Sequence, residues 1–295
     1  MKKHWLAPIA LLLTGTLLWT MALSAHADTS VWKVTKGDHY LYVGGTIHLL
    51  SKDDYPLPDG FTSAYQDSDM VVLETDIAAL QTTEYQRKIL MATTYSGDNS
   101  VLQHLSDDTV DLLRDYLEER NIPTAPLFRL KPGMLSMTLS VLELQQLGLT
   151  EAGVDQYFRL QALNDGKELG YLESPDQQIQ FLVDMGKGQE DELIRHTILE
   201  MKQLPRDMES IRTAWRNGDT GKLAAAGLER WVDRFPDLYD MILVDRNRDW
   251  IPEIERLLGT GDIELVLFGA LHLVGDDGVL ALLEDRGYQV EQVDW

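Results

Sequence analysis

Apolar and polar positions follow two different rhythms along the chain, and the switch between them outlines the fold. Ser30-Val-Trp-Lys-Val34 and His39-Tyr-Leu-Tyr-Val43, joined by Thr35-Lys-Gly-Asp38, predict a β-hairpin. Met70-Val-Val-Leu-Glu-Thr-Asp76 predicts a buried strand that ends in two acids, and Lys167-Glu-Leu-Gly-Tyr-Leu-Glu173 predicts another. Ile263-Glu-Leu-Val-Leu-Phe268 is nearly continuous in apolar residues, as expected of a strand covered on both faces. Tyr288 to Val293 forms the last strand.

Helical spacing dominates between the early and late strands. From Ile77 to about Asp165 it is clearest at Val110 to Glu119 and Met134 to Leu147, with breaks at Pro123, Pro126 and Pro132. Met134 and Met137 in this stretch read as core filling rather than a groove. Glu151-Ala-Gly-Val-Asp155 is expected to open a further helix, and Ser174-Pro-Asp-Gln-Gln178 has proline at a first helical position. Residues 176 to 259 read as mostly helical, with breaks at Leu204-Pro205, Asn217-Gly218 and Phe235-Pro236. Asp245-Arg-Asn-Arg-Asp-Trp250 reads as a polar island interrupting a helix. The expected fold class is therefore α/β: a mixed sheet from strands at both ends of the mature chain, with a long helical insert, about 77–259, forming a cap.

Two strand ends share one plan. In Leu41-Tyr-Val-Gly-Gly-Thr-Ile-His48 and Leu265-Val-Leu-Phe-Gly-Ala-Leu-His272 an apolar run ends in glycine, two residues intervene, and histidine follows. Two aliphatics and then an acidic pair, Asp53-Asp54 or Asp276-Asp277, lie shortly beyond each histidine. Open α/β sheets keep their sites just past the carboxyl ends of strands, so both imidazoles are expected at one crevice.

Composition narrows what that crevice serves. Lys2 and Lys3 precede an apolar run from Leu6 to Leu23, and Ser24-Ala-His-Ala27 offers a cleavage site, so residues 1–27 read as a signal peptide. Cleavage leaves residues 28–295 as one expected domain, periplasmic or secreted, with no stable membrane anchor. The leader holds two lysines and no acid, so its loss takes the net charge from −22 to −24. Such an acidic surface argues against nucleic acid as a partner. With no cysteine, disulfides and thiolate metal sites are excluded.

Five histidines follow the leader: His39, His48, His104, His196 and His272. His39, His104 and His196 lack a matching frame and read as structural or surface groups. Two imidazoles and a carboxylate make a common ligand set for a hydrolytic divalent ion, with a position left for water. Glu74 is the best-placed carboxylate, as ligand or general base, with Asp76 in reserve. Asp53, Asp54, Asp276 and Asp277 read as helix caps. By composition alone, Arg246 and Asn247 read as helix-surface residues.

Gly44-Gly-Thr-Ile-His48, Val72-Leu-Glu74, Gly153-Val-Asp155, Leu172-Glu-Ser174 with Gln177-Gln178, Asp245-Arg-Asn247 and Gly269-Ala-Leu-His-Leu-Val-Gly275, followed by Gly287-Tyr288, together resemble the TraB/GumN family. Its members include the Tiki metalloproteases and a bacterial pheromone-shutdown protein. The resemblance implies a fold akin to erythromycin-esterase-like and ChaN-like proteins. It also implies a site of His48, Glu74 and His272 as metal ligands, with Glu74 and Arg246 as catalytic residues. The function expected on this basis is an exported metal-dependent hydrolase, foremost a peptidase, holding zinc, manganese or cobalt. Its substrate is a peptide or a small molecule. The alternatives are a metal-free hydrolase using histidine as general base, and a non-catalytic haem- or peptide-binding protein.

Overall fold

The computed structural model describes residues 29–228, 232 and 235–293, so the expected leader lies outside the described residues. The chain is α/β with a mixed six-stranded sheet. Its strands are β1 (Val31–Lys36), β2 (His39–Thr46), β4 (Met70–Thr75), β6 (Glu168–Glu173), β7 (Glu264–Gly269) and β8 (Gln289–Gln292), in the spatial order β6-β4-β7-β2-β1-β8. Neighbours among β6, β4, β7 and β2 run parallel, whereas β1 is antiparallel to both β2 and β8. Every residue of β7 except its terminal glycine is buried, as a continuous apolar run requires. The β2–β7 register pairs Gly45 with Phe268 and Thr46 with Gly269, so the two glycine–histidine frames leave the sheet side by side.

The helices that matter for the site are α1 (Asp59–Asp67), α2 (Asp107–Glu119), α3 (Pro132–Gln146), α4 (Val154–Asp165), α5 (Pro175–Asp184), α6 (Glu190–Arg216), α7 (Asp245–Leu257) and α8 (Val279–Asp285). Phe61 of α1 and Phe158 of α4 stack in the core against the sheet, and Trp250 of α7 packs on Phe268 of β7. A second apolar cluster lies among helices alone, with Leu113, Tyr116 and Leu117 of α2, Leu135 and Leu139 of α3, and Ile194 and Ile198 of α6. Helix α6 belongs to both clusters. Near its carboxyl end Trp215 Nε1 donates to the Gly45 carbonyl at 2.7 Å, while Arg212 pairs with the fully buried Asp54 at 2.7 Å.

Three local expectations are corrected. Glu151-Ala152 does not open a helix; as β5 it pairs antiparallel with β3 (Leu49–Leu50), just after His48. Pro205 does not break α6, because buried residues anchor the helix on either side and offset the missing N–H. Asp245 to Trp250 does not interrupt a helix either. It is the first part of α7, entered through a π-helical turn at Asp240–Val244; Arg246 and Asn247 turn inward with Trp250, while Asp245, Arg248 and Asp249 face water.

Of the four candidate caps, Asp54 closes a capping box with Ser51. Asp277 does not cap: the N-cap of α8 is Gly278, with no side-chain bond. Asp76 caps the short helix Ile77–Leu80 by accepting from Ala79 N–H at 3.0 Å.

Candidate active site

Each of the four parallel strands delivers one polar side chain at its carboxyl end. These are Glu173 from β6, Glu74 from β4, His272 just past β7 and His48 just past β2. Because the strands are parallel and adjacent, this edge of the sheet is where side chains from distant parts of the chain meet. Helix α7 supplies Arg246, Asn247 and Trp250 to the same place.

The arrangement is organised by Arg246. Its Nη2 donates to Glu74 Oε2 at 2.7 Å, its Nε to Glu173 Oε1 at 2.7 Å, and its Nη1 to His272 Nε2 at 3.2 Å. The guanidinium also lies over the Trp250 and Phe181 rings, at 4.7 and 5.0 Å from their centroids. Glu173 is buried and accepts in addition from Trp250 Nε1 at 2.7 Å and from the Gln178 amide. A planar fork held by two carboxylates and a ring has one geometry, which lysine would not reproduce.

The histidine tautomers follow from their neighbours. Asn247 Nδ2 donates to the Asp277 carbonyl at 2.8 Å, so Asn247 Oδ1 must be the acceptor of the 2.6 Å bond from His272 Nδ1–H. The lone pair of His272 is therefore on Nε2, facing Arg246 and the Glu74 side of the crevice. Burial, helped by Arg246 and opposed by Glu74, lowers the His272 pKa to about 3, so the ring is neutral at pH 7. His48 is held in the same way: Nδ1 bonds Asp155 Oδ1 at 3.1 Å, and Nε2 lies 3.9 Å from Glu74 Oε1. Asp155 raises the His48 pKa, although the ring is 62% exposed and solvent screens that pull. Glu74 stays ionised. Burial alone favours its neutral form, but Arg246 above all, then both histidines and the Gly269 N–H at 2.7 Å, bring it to about 2.

One glycine is required by close approach, and another marks where the side chains meet. A Cβ on Gly153 would lie 2.3 Å from the Ile47 carbonyl oxygen and 2.4 Å from the His48 carbonyl carbon, so only glycine lets the Asp155 segment reach His48. A Cβ on Gly269 would sit in a cradle formed by Glu74 Oε1, His272 Cδ2 and His48 Nε2, at 3.4, 3.6 and 3.7 Å. The three donor side chains thus converge over one bare backbone position. As they stand, no three His, Asp or Glu side chains among the described residues form a ready metal cage, and Arg246 occupies the His272 lone pair.

A model of the TraB/PrgY/gumN family matches residues 30–292. The chain belongs to this family. The match spans every residue of the cluster from His48 to His272. A TraB/PrgY/gumN relative, the uncharacterized protein YbaP of Escherichia coli K12, is 24% identical over 90% of this chain and 96% of its own length. Its counterpart in Shigella flexneri is 23% identical over 86% of this chain and 97% of its own. No solved structure gives a significant match.

The structure of this TraB/PrgY/gumN chain brings together His48, Glu74, His272 and Arg246, and lifts Arg246 and Asn247 from the helix surface into the cluster. Asp76 stands apart as a cap. His39 is exposed, His104 stacks on Tyr95 and His196 packs on Phe235, all outside the cluster. Residue-by-residue reading did not give Asp155, Glu173, Gln178 and Trp250 site roles. The signal for the first three was present, in the Gly-Val-Asp, Leu-Glu-Ser and Gln-Gln stretches that carry the family resemblance.

Proposed function

We propose that this protein is an exported metal-dependent hydrolase acting on peptides, with His48, Glu74 and His272 holding a zinc, manganese or cobalt ion. One observation carries the reading: both imidazoles turn Nε2 toward the Glu74 side while Nδ1 is tied to an outer acceptor, Asp155 or Asn247. Outer-shell bonds of this kind fix the tautomer and orientation of metal-binding histidines. The cradle over Gly269 gathers the three side chains at 3.4–3.7 Å from one point, with His272 presenting Cδ2, so holding an ion needs Arg246 Nη1 to leave His272 Nε2 and the three donors to turn and close in.

A divalent ion in such a ligand set acts as a Lewis acid and lowers the pKa of water. The chain's own contribution is positional. Arg246 holds one Glu74 oxygen, leaving the other directed toward His48, and its remaining charge is available to a developing oxyanion. Trp250 and Phe268 pack against His272 and keep that ring dry. In this reading the helical stretch of about 77–259 serves as a cap that shapes the cleft, and the N-terminal leader directs export. Among the described residues no helix is long and apolar enough to cross a membrane.

One observation favours a second reading, metal-free hydrolysis: Arg246 already supplies a positive charge between Glu74, Glu173 and His272. Metal content distinguishes the two. Residues 28–295, wild type and His272→Ala, are reloaded with zinc, manganese or cobalt and assayed by mass spectrometry. About one ion per chain, lost in the variant, together with peptide hydrolysis abolished by a chelator, is the expected result. Chelator-resistant hydrolysis with no bound ion refutes the metal reading in favour of the second.

A further inference from the structure

One long side of β6 has no strand beside it. The strand closes the sheet next to the site, and β4 is its only strand neighbour among the described residues. Successive residues of a strand direct their N–H and C=O to alternate sides, so every second residue of Glu168–Glu173 points these groups away from β4. Among the described residues no main-chain group outside the β4 ladder bonds them.

That outer side is open to water. Val71, Val72 and Leu73 of β4 are closed off, whereas Leu169, Gly170 and Tyr171, opposite them in register, are each partly exposed. Helix α4 packs on both strands and α7 also packs on β6, so the difference lies at the outer side of β6 and not on a face of the sheet. Proteins usually protect such an edge with lysine, proline or a bulge. Here Leu169-Gly-Tyr-Leu172 has neither charge nor proline, and the register with β4 holds from end to end. The other edge strand, β8, has four residues and lies beyond β2 and β1, away from the row of polar strand ends. By contrast β6 runs six residues, about 20 Å, to Glu173 and through it to Arg246.

We propose that an extended stretch of a peptide substrate docks on the outer edge of β6, adding a strand whose main chain pairs with Glu168–Glu173. Pairing of this kind draws its affinity from main-chain hydrogen bonds and selects an extended conformation. The proposal rests on the peptide reading of the adjoining site and fixes how the peptide reaches it. In the order β6-β4-β7, an added strand lies three strand spacings, about 14 Å, from the cradle over Gly269. About four extended residues cover that distance, so the bond offered to the site lies about four residues beyond the paired stretch. The exposed Glu168 at the entry and a net charge of −22 favour a basic peptide.

The test is residue-resolved amide hydrogen exchange on mature His272→Ala, with the wild type assayed for cleavage alongside. The probe is a capped peptide of threonine, valine and lysine in turn, about twelve residues long so that it spans both the edge and the site. Its control carries N-methyl groups on every valine; with a repeat of three, these remove N–H groups from both sides of an extended chain. In the protein alone every second amide of β6 is expected to exchange freely, while those facing β4 are protected. Saturating probe should slow the outer amides at least about tenfold, as when about nine chains in ten are occupied, and leave β8 unchanged. The methylated control should slow none of them. Outer amides already protected without probe, unchanged by it, or slowed equally by the control overturn the proposal. So does protection that rises with protein concentration alone, which assigns the edge to a second copy of the chain. Protection without cleavage by the wild type leaves the docking edge standing and removes the hydrolase. Cleavage without protection does the reverse.

Discussion

Replacing Glu173 by alanine strikes the one carboxylate on which the placement of Arg246 depends. Glu173 is buried and accepts from Arg246 Nε at 2.7 Å, Arg246 Nη2 at 3.2 Å, Trp250 Nε1 at 2.7 Å and the Gln178 amide. Truncation leaves three side chains with unmet donors, one of them charged. Removing one partner of a buried ion pair costs about 3–5 kcal/mol. Part of this is recovered here, because Arg246 keeps Glu74 and His272 and remains partly accessible. A loss of about 3 kcal/mol is therefore expected, or a fall in Tm on the order of 10 °C for a chain of this size. Glu173→Gln should cost less, since one acceptor oxygen remains for Arg246 or Trp250. Urea unfolding followed by both far-UV circular dichroism and tryptophan fluorescence measures this, and a Trp250→Phe background separates the Trp250 signal from the other tryptophans. A loss below about 1 kcal/mol in Glu173→Ala, with unchanged Trp250 emission, would refute the claim that Glu173 positions Arg246.

The remaining predictions concern the supports of the site. Gly153→Ala should push the His48 segment away and break the His48–Asp155 bond, because the new Cβ meets main chain at 2.3 and 2.4 Å. An unshifted His48 Nδ1 resonance in the variant would contradict this. In the helical cluster, burial raises the Glu143 pKa, but bonds from Arg120 and Tyr116 outweigh it and hold the group below its ordinary 4.5. A depressed folded pKa contributes stability that is full above the unfolded value and is lost as pH falls through the folded one. Wild type should therefore lose stability below about pH 4.5 more steeply than Glu143→Gln when urea midpoints are compared. Parallel curves would show that the Arg120–Glu143 pair makes no such contribution.

The strand ends were legible because their chemistry is local. Glycine, two residues and histidine at the close of an apolar run predict a loop past a strand, and β2 and β7 end that way as neighbours. Glu74 was legible for the same reason. What escaped was set by long-range contact. Asp155 reaches His48 across 107 residues through the β3–β5 pairing, and two residues of strand give no periodicity to read. The run from Asp245 to Trp250 misled because polar side chains in a helix usually face water, whereas here Asn247 and Trp250 are buried and Arg246 is bound to two carboxylates. Pro205 misled in the other direction: a residue that breaks isolated helices is tolerated where packing on both sides holds the helix.

The parallel ladder has a consequence for how such a chain can vary. Glu74 and Glu173 sit at the ends of neighbouring strands, yet the excursion between β4 and β6 contains α2 and α3, which build most of the second apolar cluster. The excursion between β6 and β7 contains the long α6. Both leave from the same carboxyl edge and return to the opposite one, while the hydrogen-bonded register between strands sets the spacing of the four polar ends. Insertions or exchanges in the parts of those excursions that do not touch the cluster, such as α2 and α3, can therefore remodel what surrounds the crevice, while the segments that carry Asp155, Gln178 and Arg246 to Trp250 stay tied to the strand ends. Such a scaffold lets its outer helices diverge while the spacing of the strand-end side chains is inherited.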